Sequence, residues 1–396
     1  MTGTPPVVHF LYEPGNGGLD RVAILLANGM AKRGVPTELW LTRTTGPVAD
    51  LIAAEVNVRI VPTPRIGGRG LQLFLQIPAV ARMIREHRPR AIFSAGNQSN
   101  LSLAIARILA GKTRTKIIQK ITNPVLRPGS ASRAGRFRRW RFGFTARLGD
   151  ITLTLSAADA KQYSKLYPHS AGKFLAVPNP YVTDPMLAAG EMRALRDSAV
   201  PPRLLAVGRI ATQKGYWTLI SALALLEERP WSMTILGDGS LMTDTKNRVE
   251  KLGLADRITF KGFVSDATPY FVRSDILVLS SQWEGFPAVP IEAMASGCAV
   301  VATDCSAGLT ELLHEIGQHP VPVQDSSALA KTIKEEMDSP QPTGPMRVRA
   351  AAYSIENSVD RHLRLLDQAL PNILGLQHCV HPSCTAPQQQ AAENYQ

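Results

Sequence analysis

Residues 275–304 read DILVLSSQWEGFPAVPIEAMASGCAVVATD, and the order of segments within them decides the fold. DILVLSS and CAVVATD are continuous apolar runs rather than alternating ones, which predicts strands buried on both faces. Between them, VPIEAMASG carries Pro290 near a first helical position and stops at Gly297, which places Glu292 in the first turn of a short helix. Strand, loop, helix, strand is the repeating unit of a parallel α/β sheet. QWEGFPA is then the loop that leads into a helix N-terminus, where free N–H groups and the helix dipole favour an anion.

The same alternation extends along the chain. Strands are predicted at 7–12, 37–42, 57–62, 90–96, 116–122 and 151–156, and again at 203–209, 232–239, 257–263, 275–281 and 298–304. Two such series predict two doubly wound domains. The proline-rich VPNPYVTDP (177–185) marks the boundary, so the expected domains are 1–182 and 183–353. SIENSVDRHLRLLDQAL predicts a last helix over 354–370, with Ser354 as N-cap and Ile355, Val359, Leu363, Leu366 and Leu370 on one face. Residues 371–396 are polar and Gln-rich, an expected disordered tail.

A chain of 396 residues, 44% hydrophobic, suits two domains rather than one core. Its net charge of +12 favours anionic partners. Four cysteines make no disulfide framework and are expected as reduced thiols, the HCVHPSC of the tail (378–384) included, whose spacing fits no closed zinc pattern. The N-terminus lacks a basic region followed by an apolar run, and no apolar stretch approaches the ~20 residues of a membrane span. A cytoplasmic protein is expected, peripheral on the membrane at most.

The chemistry concentrates in the second series. Glu284 lies at the carboxyl end of a strand, where open α/β sheets bind ligands, and Glu292 follows it on the helix. Carboxylates accept hydrogen bonds from sugar hydroxyls, and two of them can each hold a diol. Either glutamate alone reads as a surface or dipole-complementing acid. Upstream, AVGRIATQKGYWTLISAL (206–223) sets Arg209 just after a strand and Lys214 just before a helix. Two cations beside a Gly-containing turn make a diphosphate site without a metal.

VGRIATQKG, ILGDGS, GFVSD and EGFPAVPIEAMASGCAVVATD, in that order, resemble the C-terminal domain of retaining GT-B glycosyltransferases of glycosyltransferase family 4. GNGGLDRVAILLANGMAKRG (15–34) and VPNPYV resemble that family's N-terminal glycine-rich loop with its helix, and its inter-domain segment. The resemblance runs from about residue 7 to 370 and rests on the combination of the Glu pair with the cations upstream. It implies two Rossmann-like domains facing across a cleft, with the last helix packing back on the first domain. It implies a nucleotide-sugar donor, UDP-sugar by family frequency, and a glycan or lipid-linked acceptor in surface-polysaccharide or glycolipid assembly. Arg209 and Lys214 then match the cations on the donor diphosphate. Glu292 matches the acid on the ribose, and Glu284 the acid facing the donor sugar. The backbone of Gly285, Phe286, Pro287 and Ala288 follows the sugar and diphosphate. Gly17 and Gly18 approach the phosphates from the other domain, and Val264 lies where relatives contact the base. No cofactor and no metal are expected.

One departure stands out. Many relatives carry a histidine in the N-terminal half against the donor sugar, and the matching SAGNQSN (94–100) has none. Asn97 or Asn123 could supply a hydrogen bond there, though each is equally a turn residue. The acid-free RPGSASRAGRFRRWRF (127–142) interleaves arginine with Phe137, Trp140 and Phe142. It reads as a solvated loop, a single-stranded RNA patch or an anionic membrane surface. The resemblance favours the membrane over nucleic acid. Competing functions are another GT-B nucleotide-sugar enzyme, epimerase or inverting, and a non-catalytic nucleic-acid-binding or scaffold protein. An inverting enzyme needs a positioned base, for which there is no strong candidate.

Overall fold

The computed structural model describes residues 4–15, 18–127, 130–193, 200–226 and 228–369. The tail from 371 on lies outside them. In chain order the first half contains β1 (Val7–Leu11), α1 (Gly18–Lys32), β2 (Thr37–Leu41), β3 (Asn57–Ile60), α2 (Arg69–Leu75) and α3 (Ile77–His87). It continues with β4 (Ala91–Ser94), α4 (Asn100–Leu109), β5 (Lys116–Lys120), α5 (Arg133–Leu148), β6 (Ile151–Thr154), α6 (Ala157–Leu166) and β7 (Phe174–Ala176). Then follow α7 (Asp184–Glu191), β8 (Arg203–Val207), α8 (Tyr216–Ala224), β9 (Ser232–Leu236), α9 (Met242–Lys251), β10 (Ile258–Gly262) and α10 (Thr268–Arg273). The chain closes with β11 (Ile276–Leu279), α11 (Ala288–Ala295), β12 (Ala299–Ala302), α12 (Ala307–Glu315), α13 (Ser326–Asp338), α14 (Thr343–Ala351) and α15 (Ile355–Ala369).

All strand pairs are parallel, in a seven-stranded sheet ordered β3-β2-β1-β4-β5-β6-β7 and a five-stranded sheet ordered β10-β9-β8-β11-β12. β1, β2, β4, β6, β11 and β12 are buried at every position; β11 and β12 run apolar without a break for that reason, while β2 and β6 bury polar residues as well, Thr37 and Glu38 in one and Thr152 and Thr154 in the other. The molecule is thus two Rossmann-like α/β layers. Chain order reverses between β1 and β4 in one sheet and between β8 and β11 in the other. Each reversal leaves a crevice beyond the strands' carboxyl ends. β7 has no counterpart among the predicted strands. It is three residues long and is fixed by its pairing with β6.

The last helix crosses back to the first. Ser354 caps α15, its Oγ accepting from the Asn357 N–H at 3.2 Å. Val359, Leu363 and Leu366 are buried, and Arg33 of α1 pairs with Asp360 at 2.6 Å. Leu370 lies outside the described residues. Among these, no helix is long and apolar enough to cross a membrane. Cys298 and Cys305 are free and buried, their thiols pushed up to about 12 by burial.

The basic segment is helical. Ser132 caps α5 by accepting from the Gly135 N–H, and the helix runs on to Leu148. Phe142 turns inward onto Tyr163, Tyr167 and Phe174. Phe137 and Trp140 stay exposed and stack at 5.7 Å, and Trp140 stacks on exposed Phe144 at 5.9 Å.

Candidate active site

The turns after β8 and β11 meet at the crevice of the second sheet. Lys214 Nζ reaches Glu284 Oε1 at 2.8 Å, with both side chains largely buried. Ser281 Oγ donates to the same oxygen at 2.8 Å, and Gln213 Nε2 donates to Glu284 Oε2 at 3.1 Å. Gln213 also donates to the Trp283 carbonyl at 2.9 Å, so the two turns are stitched together. Arg209 stands exposed on the β8 turn with no ion-pair or hydrogen-bond partner among the described residues. One cation is therefore fixed by a carboxylate, and a second remains free to take an anion.

The helix after Glu284 begins earlier than its sequence suggests. Pro287 is the N-cap and Ala288 the first helical residue, so Pro290 is third and Glu292 sits in the second turn rather than the first. Proline is tolerated throughout the first turn, where N–H groups have no helical partner, so the two residues before it can join. The C-terminal stop before Gly297 is as expected. Glu292 is largely buried, and its partner is Arg21 of α1, across the cleft at 3.8 Å. Burial pushes its carboxyl up to about 6, with Arg21 pulling it down and Asp266 adding to the rise.

Gly285 is where the two halves touch. A Cβ there would stand 2.3 Å from the Thr122 carbonyl oxygen, so only glycine admits the loop after β5. The close approach is thus made by the opposite half's backbone. Ser306 Oγ donates to the Gly285 carbonyl. The Phe286 ring is buried between Tyr181 and Tyr353, at 6.2 and 5.7 Å. Its carbonyl accepts from Tyr181 Oη at 3.2 Å, Tyr181 Oη accepts from Asn179 Nδ2 at 3.0 Å, and Asn179 Oδ1 accepts from Lys120 Nζ at 2.6 Å. VPNPYV therefore carries a polar chain from the floor of the first sheet to the loop of the second. Lys120 is wholly buried, which pulls its ammonium down to about 7.

Gly18 opens α1, while Gly17 lies outside the described residues. Gly18, Asn97 and Asn123 share the walls of a cavity of about 250 Å³ beyond β1, β4 and β5. Asn97 is committed to the loop after β5: its Oδ1 accepts from the Thr122 N–H at 2.8 Å and its Nδ2 donates to the Asn123 carbonyl at 3.0 Å. Val264 follows β10, half-buried against the core cluster that also holds Phe286 and Ile291. His87 meets Trp40 edge-on at 6.1 Å, away from the crevice.

Sequence reasoning missed Arg21, Gln213, Ser281 and Tyr181. Gln213 and Ser281 had a signal, since they flank Lys214 and precede Glu284 inside the motifs already read. Arg21 also lies inside a motif already read, residues 15–34, but nothing in the sequence pairs it with Glu292, which lies in the other half of the chain.

Residues 17–180 match the family described as Glycosyl transferase 4-like domain, and residues 201–338 match Glycosyl transferases group 1. An uncharacterized glycosyltransferase of Methanocaldococcus jannaschii is 25% identical over 59% of this chain, and the match spans 60% of that protein. The N-acetylgalactosamine-N,N'-diacetylbacillosaminyl-diphospho-undecaprenol 4-alpha-N-acetylgalactosaminyltransferase of Campylobacter jejuni is 24% identical over 76% of this chain and 82% of its own length. An Anabaena protein crystallised with UDP and glucose superposes with a TM-score of 0.72 at 19% identity, over 91% of this chain and 99% of that one, a likeness of fold.

Proposed function

The chain belongs to the glycosyl transferases group 1 family, and on that premise we propose that it moves a sugar, with retention of configuration, from a UDP-sugar to a glycan or lipid-linked acceptor. The observation that carries the reading is the Lys214–Glu284 pair beside the unpartnered Arg209, at the switch point of the second sheet. The UDP bound to the Anabaena neighbour and the diphospho-undecaprenol in the Campylobacter relative's name support the donor and acceptor classes.

In this reading Arg209 and Lys214 meet the negative charge that develops on the departing diphosphate. Fixed cations do so without reorganising as the bond breaks, and they stand in for a divalent metal. Glu292 accepts from the ribose hydroxyls. Glu284, aimed by Ser281, Gln213 and Lys214, faces the donor sugar, and the backbone from Gly285 to Ala288 lines its path. Gly18 comes close to the phosphates across the cleft, and Val264 borders the base. The acceptor hydroxyl enters from the first half, attacks the face the nucleotide leaves and gives its proton to the departing phosphate. The enzyme works at the cytoplasmic face of a membrane, with α5 against anionic lipid.

The test is the melting temperature with UDP, GDP, ADP and CMP, each with and without EDTA. UDP should raise it, by about 2.7 kcal/mol of added stability at a hundred times its Kd, and EDTA should change nothing. Glu292→Ala should weaken UDP ~10- to 100-fold, the loss of charged hydrogen bonds. Glu284→Gln should leave UDP affinity near wild type and slow transfer ~100- to 1000-fold. Full transfer activity in Glu284→Gln would remove that residue from the reaction.

A further inference from the structure

Lys120 ends β5 inside the protein, buried, with no carboxylate within ion-pair distance among the described residues. The titratable groups that feel its charge are His9 of β1 and His362 of α15, both buried. Burial pulls His9 down to about 3 and His362 well below its usual value, and Lys120 adds to both shifts. Neither supplies a counter-charge. A buried ammonium without a counter-ion is costly to keep. Its one hydrogen-bond partner among the described residues is Asn179 Oδ1, at 2.6 Å.

That partner sets the direction of the whole polar chain. An ammonium only donates, so Asn179 must turn its amide oxygen to Lys120 and its amide nitrogen to Tyr181. The opposite orientation would set N–H against N–H. Tyr181 Oη accepts from Asn179 Nδ2 at 3.0 Å, and the single hydroxyl proton is left for the Phe286 carbonyl at 3.2 Å. Burial raises the Tyr181 hydroxyl far above its usual range, so that proton stays on it. Tyr181 is itself anchored: its N–H and that of Val182 donate to the Tyr353 carbonyl at 3.0 and 3.1 Å. Pro287, the N-cap of α11, follows Phe286. Proline has no N–H, so the Phe286 carbonyl is the only hydrogen-bonding group of the peptide that leads into α11.

We propose that Lys120 is a positioning residue: by setting the direction of the Asn179–Tyr181 chain it fixes the Phe286–Pro287 peptide in the other half, and with it the N-terminus of α11 where an anionic ligand docks. That this ligand is a nucleotide-sugar diphosphate rests on the transfer reading above. The coupling between Lys120 and the loop does not.

Asn179→Asp tests the direction while keeping the side chain's shape. Its carboxylate gives Lys120 a counter-ion, so the melting temperature should hold or rise. The same carboxylate cannot donate, so the Tyr181 proton turns to it and leaves the Phe286 carbonyl. In hydrogen–deuterium exchange of the full chain, peptides spanning 281–295 should then exchange faster than in wild type. UDP should bind ~2- to 10-fold more weakly, the worth of one hydrogen bond. Tyr181→Phe keeps the ring and should show the same faster exchange and the same loss, and the double variant should lose no more than either alone. Wild-type exchange in Asn179→Asp, or additive losses in the double variant, overturns the proposal. So does a melting temperature that falls in Asn179→Asp together with UDP affinity, the outcome of a purely structural role. A wild-type protein indifferent to UDP overturns the sugar-donor reading alone, and exchange over 281–295 still decides the coupling.

Discussion

Glu292 and Glu284 share a crevice but not an environment. Both are largely buried, but Glu284 is held by three donors, whereas Glu292 has one cation 3.8 Å away. A desolvated carboxylate resists ionisation, and Arg21 opposes that resistance. A protonated carboxyl loses acceptor capacity, so UDP affinity should fall as pH drops through about 6, the level to which burial lifts this group. The groups that act on it are Arg21 from α1, which favours the ionised form, and Asp266 before α10, which opposes it. Arg21→Gln removes the favourable charge, so the fall in affinity should move to higher pH, while Arg21→Lys should keep the wild-type profile. Kd for UDP measured between pH 5 and 8 decides it. Superimposable profiles for Arg21→Gln and wild type would reduce the pair to a surface contact. Both glutamates were legible in the sequence from their place around a strand end and a helix start. The cation that tunes one of them was not, because only tertiary packing brings α1 to α11.

At the scale of elements, eleven of the twelve strands were legible in the sequence; burial on both faces leaves a continuous signature in β1, β4, β11 and β12, while β3 and β10, mostly exposed or half-buried, were legible from their β-branched and aromatic residues. β7 was illegible for the converse reason. Its middle residue is half-buried and its last exposed, so what makes it a strand is the edge of β6. The basic segment was legible as composition but not as geometry. Only when Ser132 starts a helix do Phe137, Trp140 and Phe144 fall on one face, with Phe142 on the other. The stripe carries exposed Arg133, Arg136, Arg141 and Arg147 around it, the residue types that the proposed contact with anionic lipid would use. Vesicles with 30% phosphatidylglycerol should therefore bind the protein, and pure phosphatidylcholine at least ~10-fold more weakly, since each basic residue near an anionic surface adds about 1 kcal/mol. Trp140→Ser with Phe144→Ser should cut binding several-fold without lowering the melting temperature, both rings being exposed. Equal binding to both vesicle types, or a preference for single-stranded RNA, would assign the stripe to another partner.

The whole molecule depends on its two ends meeting. α15 returns to α1, and the halves also touch where Thr122 meets Gly285 and where Arg21 meets Glu292. The amphipathic face of the last helix was legible from its spacing and its return to the first domain was implied by the resemblance, but its seat on α1 was not, because what makes the seat is the absence of a side chain. Gly29, three residues before the end of α1, leaves a gap that Val359 fills: a Cβ at Gly29 would stand 2.4 Å from Val359 Cγ2. This gives a prediction whose sign depends on background. In the native chain, Gly29→Ala should lower the melting temperature, because overpacking a tight contact costs ~1–3 kcal/mol. Val359→Ala alone should also lower it, by opening a cavity. In the Val359→Ala chain the obstructing methyl is gone, and the remaining contact to Val359 Cβ is an ordinary 3.5 Å. There Gly29→Ala should raise the melting temperature, since alanine in a helix interior is favoured over glycine by ~0.5–1 kcal/mol. Four melts, of wild type, the two single variants and the double, complete the cycle. Additive effects would mean that the last helix does not sit on Gly29 in solution, and that the two ends are held together elsewhere.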